Sequence, residues 1–479
     1  MNKIDKKLHF LLGKVKEECT KVKELSDYEL KNKTLEFKER LKNGETTDDL
    51  LPEAFAVCCE ADYRVLGMFP YDVQILGGIA LHLCYLCEMN TGEGKTLTAT
   101  MPLYLNGLTG KSTILVTENE YLAIRDAEEM GQVYKFLGLS VKSGVKRDTN
   151  EKLDNDSKKD VYDADIVYTT HGSLGFDYLL NNLVHSKEDR FMRDFYYVII
   201  DEAAKATTPE LLVSIIKAKK IILVGDQNQL PAYADQSISP KIAKLTKNPE
   251  YRMFDILFET LPNSHKQVLS TQDRMIRNIG NLISTVFYGG TIDTGCKDED
   301  KLHGLSRYEG NSIIWFDTSE NRRRKQKKTK GNSFMNEEEK RIILDILEDL
   351  KKSNELDNQD IGIITGYSGQ KDILRNSVKA IGYDKIAQID INVLDAFQGR
   401  ENDIIMYSTV RTDNSIGFQK EKERVNVAFS RAKKLLIICG DLNFFYNYND
   451  PNNKFIEIID YIRTHDHCKI ISCKGENLF

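Results

Sequence analysis

The residues Met89-Asn-Thr-Gly-Glu-Gly-Lys-Thr96 set the architecture of this chain. Their two glycines let the backbone turn tightly and bring N–H groups up to phosphate oxygens. The lysine and threonine that follow add an ammonium group for the β and γ phosphates and a hydroxyl ligand for Mg²⁺. The stretch therefore predicts a nucleotide phosphate loop, with Thr96 as a metal ligand and with these binding residues: Thr91, Gly92, Gly94, Lys95 and Thr96.

The flanking residues support this interpretation, although the loop departs from the general pattern. That pattern begins with glycine and this chain has Met89 there, so an ordinary glycine turn before a helix is the alternative. The apolar run 79–87 predicts a buried strand that leads in, and residues 96–105 predict the helix that leads out. A strand, a tight turn and a helix in this order are typical of a phosphate loop.

Two adjacent carboxylates, Asp201 and Glu202, end a later apolar strand. Beside a phosphate loop they have separate roles, since Asp201 can hold the Mg²⁺ shell and Glu202 can orient and deprotonate the attacking water. Gln229 follows the next strand and can sense the γ-phosphate without burying a charge. The alternatives are a strand-to-helix cap for the pair and a polar turn residue for Gln229.

Arginines in the second half of the chain are candidates for completing such a site. Arg274 lies in one stretch, while Arg424 and Arg431 are seven residues apart in another, which predicts one helical face. Guanidinium groups directed at the γ-phosphate stabilise charge in the transition state and make hydrolysis depend on domain closure. The alternative for any single arginine is a surface ion pair.

Composition describes a globular protein with several domains. The chain has 479 residues, a net charge of −6 and 29% charged residues, which suggests roughly two to four domains. No apolar run approaches the roughly 20 residues of a bilayer span, so we expect no integral membrane segment. Nine cysteines without a repeating framework predict reduced thiols and a cytoplasmic location.

Short β-rich runs alternate with helical runs through most of the chain, which predicts parallel sheets covered by helices. The first series has predicted strands at 112–117, 165–170, 196–201 and 220–225 and a helix at 123–137. The second has strands at 312–316, 360–365, 403–408 and 434–439 and helices at 336–350, 369–381 and 422–431. Residues 1–60 have helical spacing, and Ser26 with Glu29 predicts a capping box.

Three weaker signals lie outside this framework. The basic run 319–330 has no apolar anchor, so a mobile surface loop is favoured over a phosphate-backbone contact. Cys84 and Cys87 are expected in the strand before the phosphate loop as buried thiols. Four donors in the tail could bind zinc, although their spacing fits no standard pattern: His465, His467, Cys468 and Cys473.

Residues from about 10 to 202 resemble the first nucleotide-binding domain of SecA, the preprotein translocase motor, in its accessory form. The runs that carry the resemblance include Tyr71-Asp-Val-Gln-Ile-Leu-Gly-Gly78 and continue at 88–98, 119–123, 125–130, 168–170 and 174–179. The resemblance implies that Gln74 contacts the adenine edge. It covers the phosphate loop and the Asp201–Glu202 pair.

From about residue 198 to 441 the chain is similar instead to superfamily-1 helicases of the nonsense-mediated-decay type. The runs that carry this similarity are 200–204, 208–210, 224–231, 272–275, 287–290, 393–401 and 424–432. It implies γ-phosphate contacts for Gln229, Arg274 and Arg431 and a nucleotide contact for Glu401, with Arg424 in the same motif. It also implies nucleic-acid or coupling roles for residues 395–399. Asp273 and Gly366 depart from the helicase pattern.

Both families build a RecA-like sheet with the Asp201–Glu202 strand in its middle. We therefore expect an α/β protein with two tandem RecA-like P-loop domains, in which parallel sheets are flanked by helices. The expected boundaries are a helical N-terminal segment at 1–70, a first domain at 71–263 and a second domain at 264–479. The first domain is SecA-like to about residue 202 and helicase-like after it.

The resulting hypothesis is a motor that hydrolyses ATP with Mg²⁺ between two RecA-like domains and acts on single-stranded nucleic acid. The alternative is a SecA-like ATPase of protein translocation, whose partners are the Sec translocon, a preprotein or the membrane surface. A second alternative is nucleotide binding without a productive load, because neither the preprotein-binding insertion nor the helicase β-barrel insertion is recognisable. The expected location is cytoplasmic, or peripheral at the membrane.

Overall fold

The structure is a computed structural model of the 479-residue chain. It describes residues 3–89, 94–146, 155–184, 186, 188–206, 211, 215, 218–228, 253–357, 359–385, 387–397 and 400–475. The chain divides into two compact units. The first runs to Gln227 and resumes with a segment that ends at Leu269, and the second runs from Ser270 onward.

Four helices open the first unit: α1 (Lys3–Val22), α2 (Asp27–Lys42), α3 (Thr47–Leu66) and α4 (Asp72–His82). The predicted capping box is confirmed, because Ser26 Oγ accepts from the Glu29 N–H at 3.3 Å and Glu29 Oε2 accepts from the Ser26 N–H at 2.8 Å. Apolar residues of these helices share one core with the first sheet, as Phe55 and Tyr197 illustrate. The helical lead is therefore part of the first unit.

A seven-stranded parallel sheet forms the centre of the first unit. Its strands are β1 (Leu86–Met89), β2 (Ser112–Thr117), β3 (Val141–Ser143), β4 (Ile166–Thr170), β5 (Phe195–Ile200), β6 (Lys220–Gly225) and β7 (Lys266–Leu269). They stand in the order β3-β4-β2-β5-β6-β1-β7. The four strands predicted in this series are confirmed within a residue at each end. They were recognisable because strands buried on both faces are continuously apolar.

Helices cover both faces of this sheet. After α4 they are α5 (Lys95–Gly107), α6 (Glu120–Glu129), α7 (Gly131–Phe136), α8 (Asn155–Tyr162), α9 (His171–Leu183) and α10 (Met253–Thr260). Alternate residues of a strand face opposite cores: Leu115 packs with the N-terminal helices, while Ile114 and Val116 pack with Leu174 and Phe254. The predicted helix that follows the phosphate loop is confirmed as α5.

Two predictions for the first unit were wrong in detail. The apolar run 79–87 is not one strand, because residues to His82 belong to helix α4 and only Leu86–Met89 form β1. Cys84 consequently lies in the turn between them with a φ of +61°, while Cys87 is buried in β1. The predicted helix 123–137 is two helices, α6 and α7, which meet at Met130.

A six-stranded parallel sheet forms the centre of the second unit, in the order β14-β13-β15-β16-β10-β17. Its strands are β10 (Ile313–Asp317), β13 (Asp360–Thr365), β14 (Gln388–Val393), β15 (Asn402–Ser408), β16 (Ala432–Gly440) and β17 (Cys468–Ser472). Two small pairs accompany it, β8 (Thr271–Gln272) with β9 (Asp293–Thr294) and β11 (Lys327–Lys328) with β12 (Phe334–Met335). The four strands predicted here are confirmed with small shifts of their ends.

Helices flank this second sheet as well: α11 (Arg277–Phe287), α12 (Glu337–Lys352), α13 (Ser368–Ile381), α14 (Lys422–Phe429), α15 (Leu442–Asn447) and α16 (Phe455–Thr464). The Asn336 side chain caps α12 by accepting from the N–H groups of Glu338 and Glu339, as its position predicted. Two apolar cores fill the two faces of the sheet. Parallel sheets flanked by helices in two units confirm the expected α/β fold class.

Three further expectations for the second unit need correction or restriction. Helix α14 ends at Phe429, so Arg431 lies beyond it and does not share a helical face with Arg424. Residues 319–330 are not an unanchored loop, because they lead into the antiparallel hairpin of β11 and β12. Among the described residues, no group of three or more His, Cys, Asp or Glu side chains could hold a metal ion, so the zinc alternative for the tail gains no support.

No helix in the described part of the chain is both long and apolar enough to cross a bilayer.

Candidate active site

The described end of the phosphate loop places Lys95 and Thr96 in the first turn of α5. Gly94 is the residue before this helix and has a φ of +69°, a left-handed conformation that favours glycine. Strand β1 ends at the buried Met89, and helix α5 begins at Lys95, so a strand precedes and a helix follows this stretch, as predicted. The predicted binding residues Thr91 and Gly92 lie outside the described residues.

Gln74 lies against this turn. A Cβ atom added to Gly94 would come within 2.1 Å of Gln74 Nε2, so the amide occupies the space that a larger residue would need. Gln74 Oε1 accepts from the Tyr71 N–H at 2.9 Å, which fixes the side chain at the start of α4. The structure therefore brings the predicted adenine contact next to the phosphate loop.

The acidic pair stands at the carboxyl end of β5. Glu202 adopts a left-handed φ of +55°, and its N–H donates to Asp201 Oδ1 at 2.9 Å. Glu202 Oε1 lies 3.4 Å from Lys95 Nζ. The structure therefore brings Lys95 and Glu202 together, as expected for residues that share one phosphate group.

Lys205 is a site residue that the sequence analysis missed. Its side chain is buried, and its Nζ lies 2.9 Å from Glu202 Oε2 and 3.4 Å from Glu118 Oε2. Glu202 is thus held between two ammonium groups, those of Lys95 and Lys205. The signal was available in the sequence, because Lys205 stands three residues after Glu202 and can return to it within one helical turn.

Two further carboxylates join the site from neighbouring strands. Strands β5, β6 and β1 are adjacent in the sheet, so Asp201, Asp226 and Glu88 emerge at the same carboxyl edge. Asp226 is fully buried, directly after β6, and Glu88 pairs with Gly225 across β1 and β6. Sequence reasoning missed both acids, although their places beside the predicted strand ends were a signal.

The concentration of negative charge shifts the protonation of these groups. Burial raises the pKa of Asp201 to about 7, and the charge of Glu202 adds to the shift. Burial also raises the pKa of Glu88 to about 7, with Asp226 as the next cause. Burial disfavours the charged form of Lys95, but the carboxylates of Glu202 and Asp201 outweigh it and hold the pKa of Lys95 above its usual value.

In the second unit, Arg274 forms an ion pair with Glu401. Arg274 Nε lies 2.5 Å from Glu401 Oε2, and Arg274 Nη1 donates to the Ser430 carbonyl at 3.5 Å. The Arg274 guanidinium is the largest cause that holds the pKa of Glu401 below its usual value, and Arg431 contributes to the same shift. The structure therefore brings together three of the residues that the helicase resemblance implied.

Arg431 and Arg424 have different surroundings. Arg431 is buried, and it donates to the Val427 carbonyl at 3.0 Å and to the Arg400 carbonyl at 3.3 Å. Arg424 lies nearer the surface and pairs with Asp395 at 2.9 Å and Glu421 at 2.6 Å. Gln229 and residues 398–399 are outside the described part of the chain.

Comparison with protein families identifies one match over most of the chain. A family model described as the SecA DEAD-like domain matches residues 1–429. The match includes the phosphate-loop turn, the acidic pair, Arg274, Glu401 and Arg424, and it ends just before Arg431.

Curated proteins match the first part of the chain. The chain is 59% identical over 203 residues to the protein translocase subunit SecA 2 of Streptococcus sanguinis strain SK36, which covers 41% of this chain and 26% of that protein. It is 51% identical over 207 residues to the subunit of the same name from Lactobacillus johnsonii, covering 43% and 26%. The chain thus spans about a quarter of the length of the curated relatives it matches.

Two solved structures are similar at low identity. One is the arterivirus nonstructural protein 10 helicase, with a TM-score of 0.42 and 12% identity, which covers 80% of this chain and 63% of that chain. The other is S. cerevisiae Dbp5 bound to RNA and ADP BeF3, with a TM-score of 0.47 and 12% identity, covering 90% and 96%. At these values the likeness says nothing about function.

Proposed function

The chain belongs to the SecA DEAD-like domain family, and on that premise we propose that it hydrolyses ATP at the carboxyl edge of its first sheet. The observation that carries the proposal is the convergence of Lys95 and Glu202, whose charged atoms lie 3.4 Å apart beside the half-buried Asp201. An ammonium group next to a half-buried acid pair matches the needs of phosphoryl transfer, which depends on positioning and on neutralising charge.

Each side chain has one role in this proposal. Lys95 contacts the β and γ phosphates, and Gln74 contacts the adenine edge. The incoming phosphates compete with Glu202 for Lys95, so Glu202 is released to orient and deprotonate the attacking water. Lys205 stays paired with Glu202 at 2.9 Å and limits how far that side chain can move.

Mg²⁺ fits the side chains that are present. Thr96 and Asp201 supply the oxygen ligands that this cation prefers. Burial is the largest cause of the raised pKa of Asp201, followed by the charge of Glu202, and a cation beside this carboxyl would favour its ionised form. When bound there, Mg²⁺ would neutralise charge on the phosphates.

Roles for residues of the second unit follow from the helicase resemblance. The helicase resemblance supports γ-phosphate contacts for Arg274 and Arg431, and also for Gln229. Glu401 and Arg424 are assigned to nucleotide binding on the same grounds. The Arg274–Glu401 ion pair of 2.5 Å supports this assignment, because it keeps the guanidinium group in a fixed orientation.

We propose single-stranded nucleic acid as the load of this motor. The support comes from the second unit, whose motif runs at 272–275, 393–401 and 424–432 are helicase-like. The second candidate is protein translocation, with a preprotein, the Sec translocon or an anionic membrane as partner. A separate observation favours it, since relatives that are 51–59% identical over the first part of the chain are named protein translocase subunits.

The test is steady-state ATP hydrolysis by the full chain and by two variants, Lys95→Ala and Glu202→Gln. Both variants should lower turnover by about 10²-fold or more, because each removes a group that acts on the transferring phosphate. Glu120→Gln is the matched control, since this exposed carboxylate lies in α6 and has no part in the site. Wild-type turnover equal to that of Lys95→Ala would exclude the proposed hydrolysis.

The load is tested by adding partners to the same assay. Stimulation by single-stranded oligonucleotides that weakens with salt supports the nucleic-acid load. Stimulation only by unfolded preprotein with anionic vesicles supports the translocation candidate instead. Turnover that no partner changes would contradict both candidates and leave a nucleotide-binding protein without a productive load.

A further inference from the structure

The strongly basic segment of the second unit is held in place by two of its residues. Arg324 Nε lies 2.6 Å from Asp441 Oδ2. Gln326 exchanges two hydrogen bonds of 3.1 Å with Thr412, and its Nε2 donates to Asp413 Oδ1 at 2.6 Å. These contacts anchor residues 322–335, here called the basic hairpin, to the rest of the second unit.

The remaining cations of the basic hairpin face solvent. Because alternate residues of an extended chain point to opposite sides, fixing Arg324 and Gln326 inward turns Lys325 and Lys327 outward. Five cationic side chains of the basic hairpin are exposed and have no carboxylate partner among the described residues: Arg322, Lys325, Lys327, Lys328 and Lys330. In a chain with a net charge of −6, this is an unusual local excess of positive charge.

The basic hairpin stands at the carboxyl edge of the second sheet. Phe334 of β12 packs edge-on against Tyr367, with ring centroids 5.6 Å apart, and Tyr367 follows the end of β13. The Arg411 guanidinium lies 4.2 Å from the Phe334 ring centroid. Ligands of open parallel sheets bind outside the carboxyl ends of the strands, so the excess charge faces the functional edge.

A groove of about 760 Å³ runs beside the basic hairpin. One wall carries the cations Arg322, Arg323, Lys325 and Lys327. The other wall is helix α12, whose four acids outnumber the two cations that line the groove with them: Glu337, Glu338, Asp345 and Glu348 against Lys340 and Arg341. A broad anionic surface such as a bilayer would meet both walls and be repelled by the second. A narrow anionic strand can follow the basic wall alone.

We propose that the basic hairpin binds the phosphate backbone of nucleic acid, without reading its base sequence. Its outward lysines and arginines contact successive phosphates along one wall of the groove, which is how positively charged grooves follow a strand. The inference deepens the nucleic-acid load proposed above and rests on it. Binding measured without ATP tests the hairpin separately from turnover.

The experiment measures binding of fluorescently labelled oligonucleotides to the full chain by anisotropy, across a range of salt concentrations and without ATP. Its ligands are a 20-nucleotide single strand and a 20-base-pair duplex, which distinguish the two sources of phosphate backbone. The hairpin variant carries Arg322→Gln, Lys325→Gln, Lys327→Gln and Lys328→Gln. Its matched control carries Lys351→Gln, Lys352→Gln, Lys379→Gln and Lys385→Gln, which remove the same charge near the opposite edge of the same sheet.

The hairpin variant should weaken binding roughly tenfold or more at low salt and reduce the slope of log Kd against log salt by about 3, since four phosphate contacts are lost. The control variant should bind like the wild type. Unchanged thermal unfolding of both variants would show that the fold is intact.

Three results would overturn the proposal. In the first, the wild type binds oligonucleotides and the hairpin variant binds them with the same slope, so the load stands but the site is elsewhere. In the second, both variants weaken binding equally, so only net charge matters. In the third, the wild type ignores oligonucleotides but binds vesicles that contain anionic phospholipid, so the partner is a membrane.

Discussion

At the scale of single residues, the carboxyl edge of the first sheet is a place where charge accumulates. Four acids stand near Lys95, and two of them, Glu88 and Asp226, come from the regions of the chain that resemble different families. Their negative charges repel each other across adjacent strands. The consequence is a protonation equilibrium near neutral pH that affects stability.

Replacing Glu88 by glutamine should make the protein more stable at high pH. Burial and Asp226 raise the pKa of Glu88 from 4.5 to about 7. A group whose pKa is raised on folding contributes its full stability below the unfolded pKa and loses it as the pH rises through the folded pKa. Between about pH 5 and pH 8 the wild type should therefore lose up to about 3 kcal/mol relative to Glu88→Gln. Urea unfolding of both proteins at about pH 5 and pH 8 measures this difference in the free energy of unfolding.

The matched control for this experiment is Glu118→Gln, which removes a carboxylate near the same edge that is bound to Lys205. If the free energies of unfolding of the wild type and of Glu88→Gln change with pH in parallel, the pKa of Glu88 is not raised on folding and the prediction is wrong.

The residues that sequence analysis found and those it missed differ in a physical way. Lys95 and the Asp201–Glu202 pair were found because phosphate and Mg²⁺ binding require a lysine after a glycine turn and carboxylates at a strand end. Glu88 and Asp226 were missed because they join the site through the order of the strands in the sheet, which local sequence patterns do not reveal. Lys205 was missed although its spacing of three residues from Glu202 was a local signal.

At the scale of elements, the start of α5 depends on a close approach between two segments. Gly94 has a left-handed φ of +69°, and a Cβ atom there would lie 2.1 Å from Gln74 Nε2. Alanine at position 94 faces both a backbone cost of about 1–2 kcal/mol and a steric clash. We expect Gly94→Ala to lower the melting temperature and to abolish binding of a fluorescent ATP analogue.

A second substitution separates the two causes. Adding Gln74→Ala to Gly94→Ala removes the clash but not the backbone cost, so the double variant should recover part of the lost thermal stability. Gly110→Ala is the control for the backbone cost alone, because Gly110 also has a positive φ of +67° but open space around its Cβ. If the double variant is no more stable than Gly94→Ala, a steric clash with the Gln74 side chain does not contribute to the loss of stability.

Elements were predictable where one physical signal dominated. Strands β2, β4, β5, β6 and β13 were recognised because burial on both faces makes them continuously apolar. The same signal misled at 79–87, because the end of α4 is equally apolar and helix cannot be told from strand by burial alone. The basic hairpin was missed because nearly all of its residues are polar. Hydropathy does not distinguish the polar residues that are anchored from those that face solvent.

At the scale of the whole molecule, each unit carries its own cores. The two cores of the second unit are built from buried residues between Met275 and Cys473, and none of them comes from the first unit. We expect residues 270–479, produced alone, to fold and to melt in one cooperative transition observed by circular dichroism. Cooperative unfolding is normal for single domains with a complete core.

A non-cooperative melt of that fragment would contradict this prediction. The matching control is a fragment from 313 to 479, which lacks α11 and therefore Ile279, Leu282 and Ile283 of the same core. It should be much less stable, because large apolar side chains contribute a few kcal/mol each to a packed core.

The position of β1 in its sheet affects how the protein forms on the ribosome. Within the described part of the chain, this strand of residues 86–89 pairs only with β6 and β7, which begin at residues 220 and 266. Synthesis at roughly 5–20 residues per second leaves β1 waiting on the order of ten seconds or more for its first neighbour. The turn that leads into Lys95 thus acquires its support late, and a nascent chain that stalls before β6 has the phosphate-loop sequence without the strand pairing that would make it a binding site.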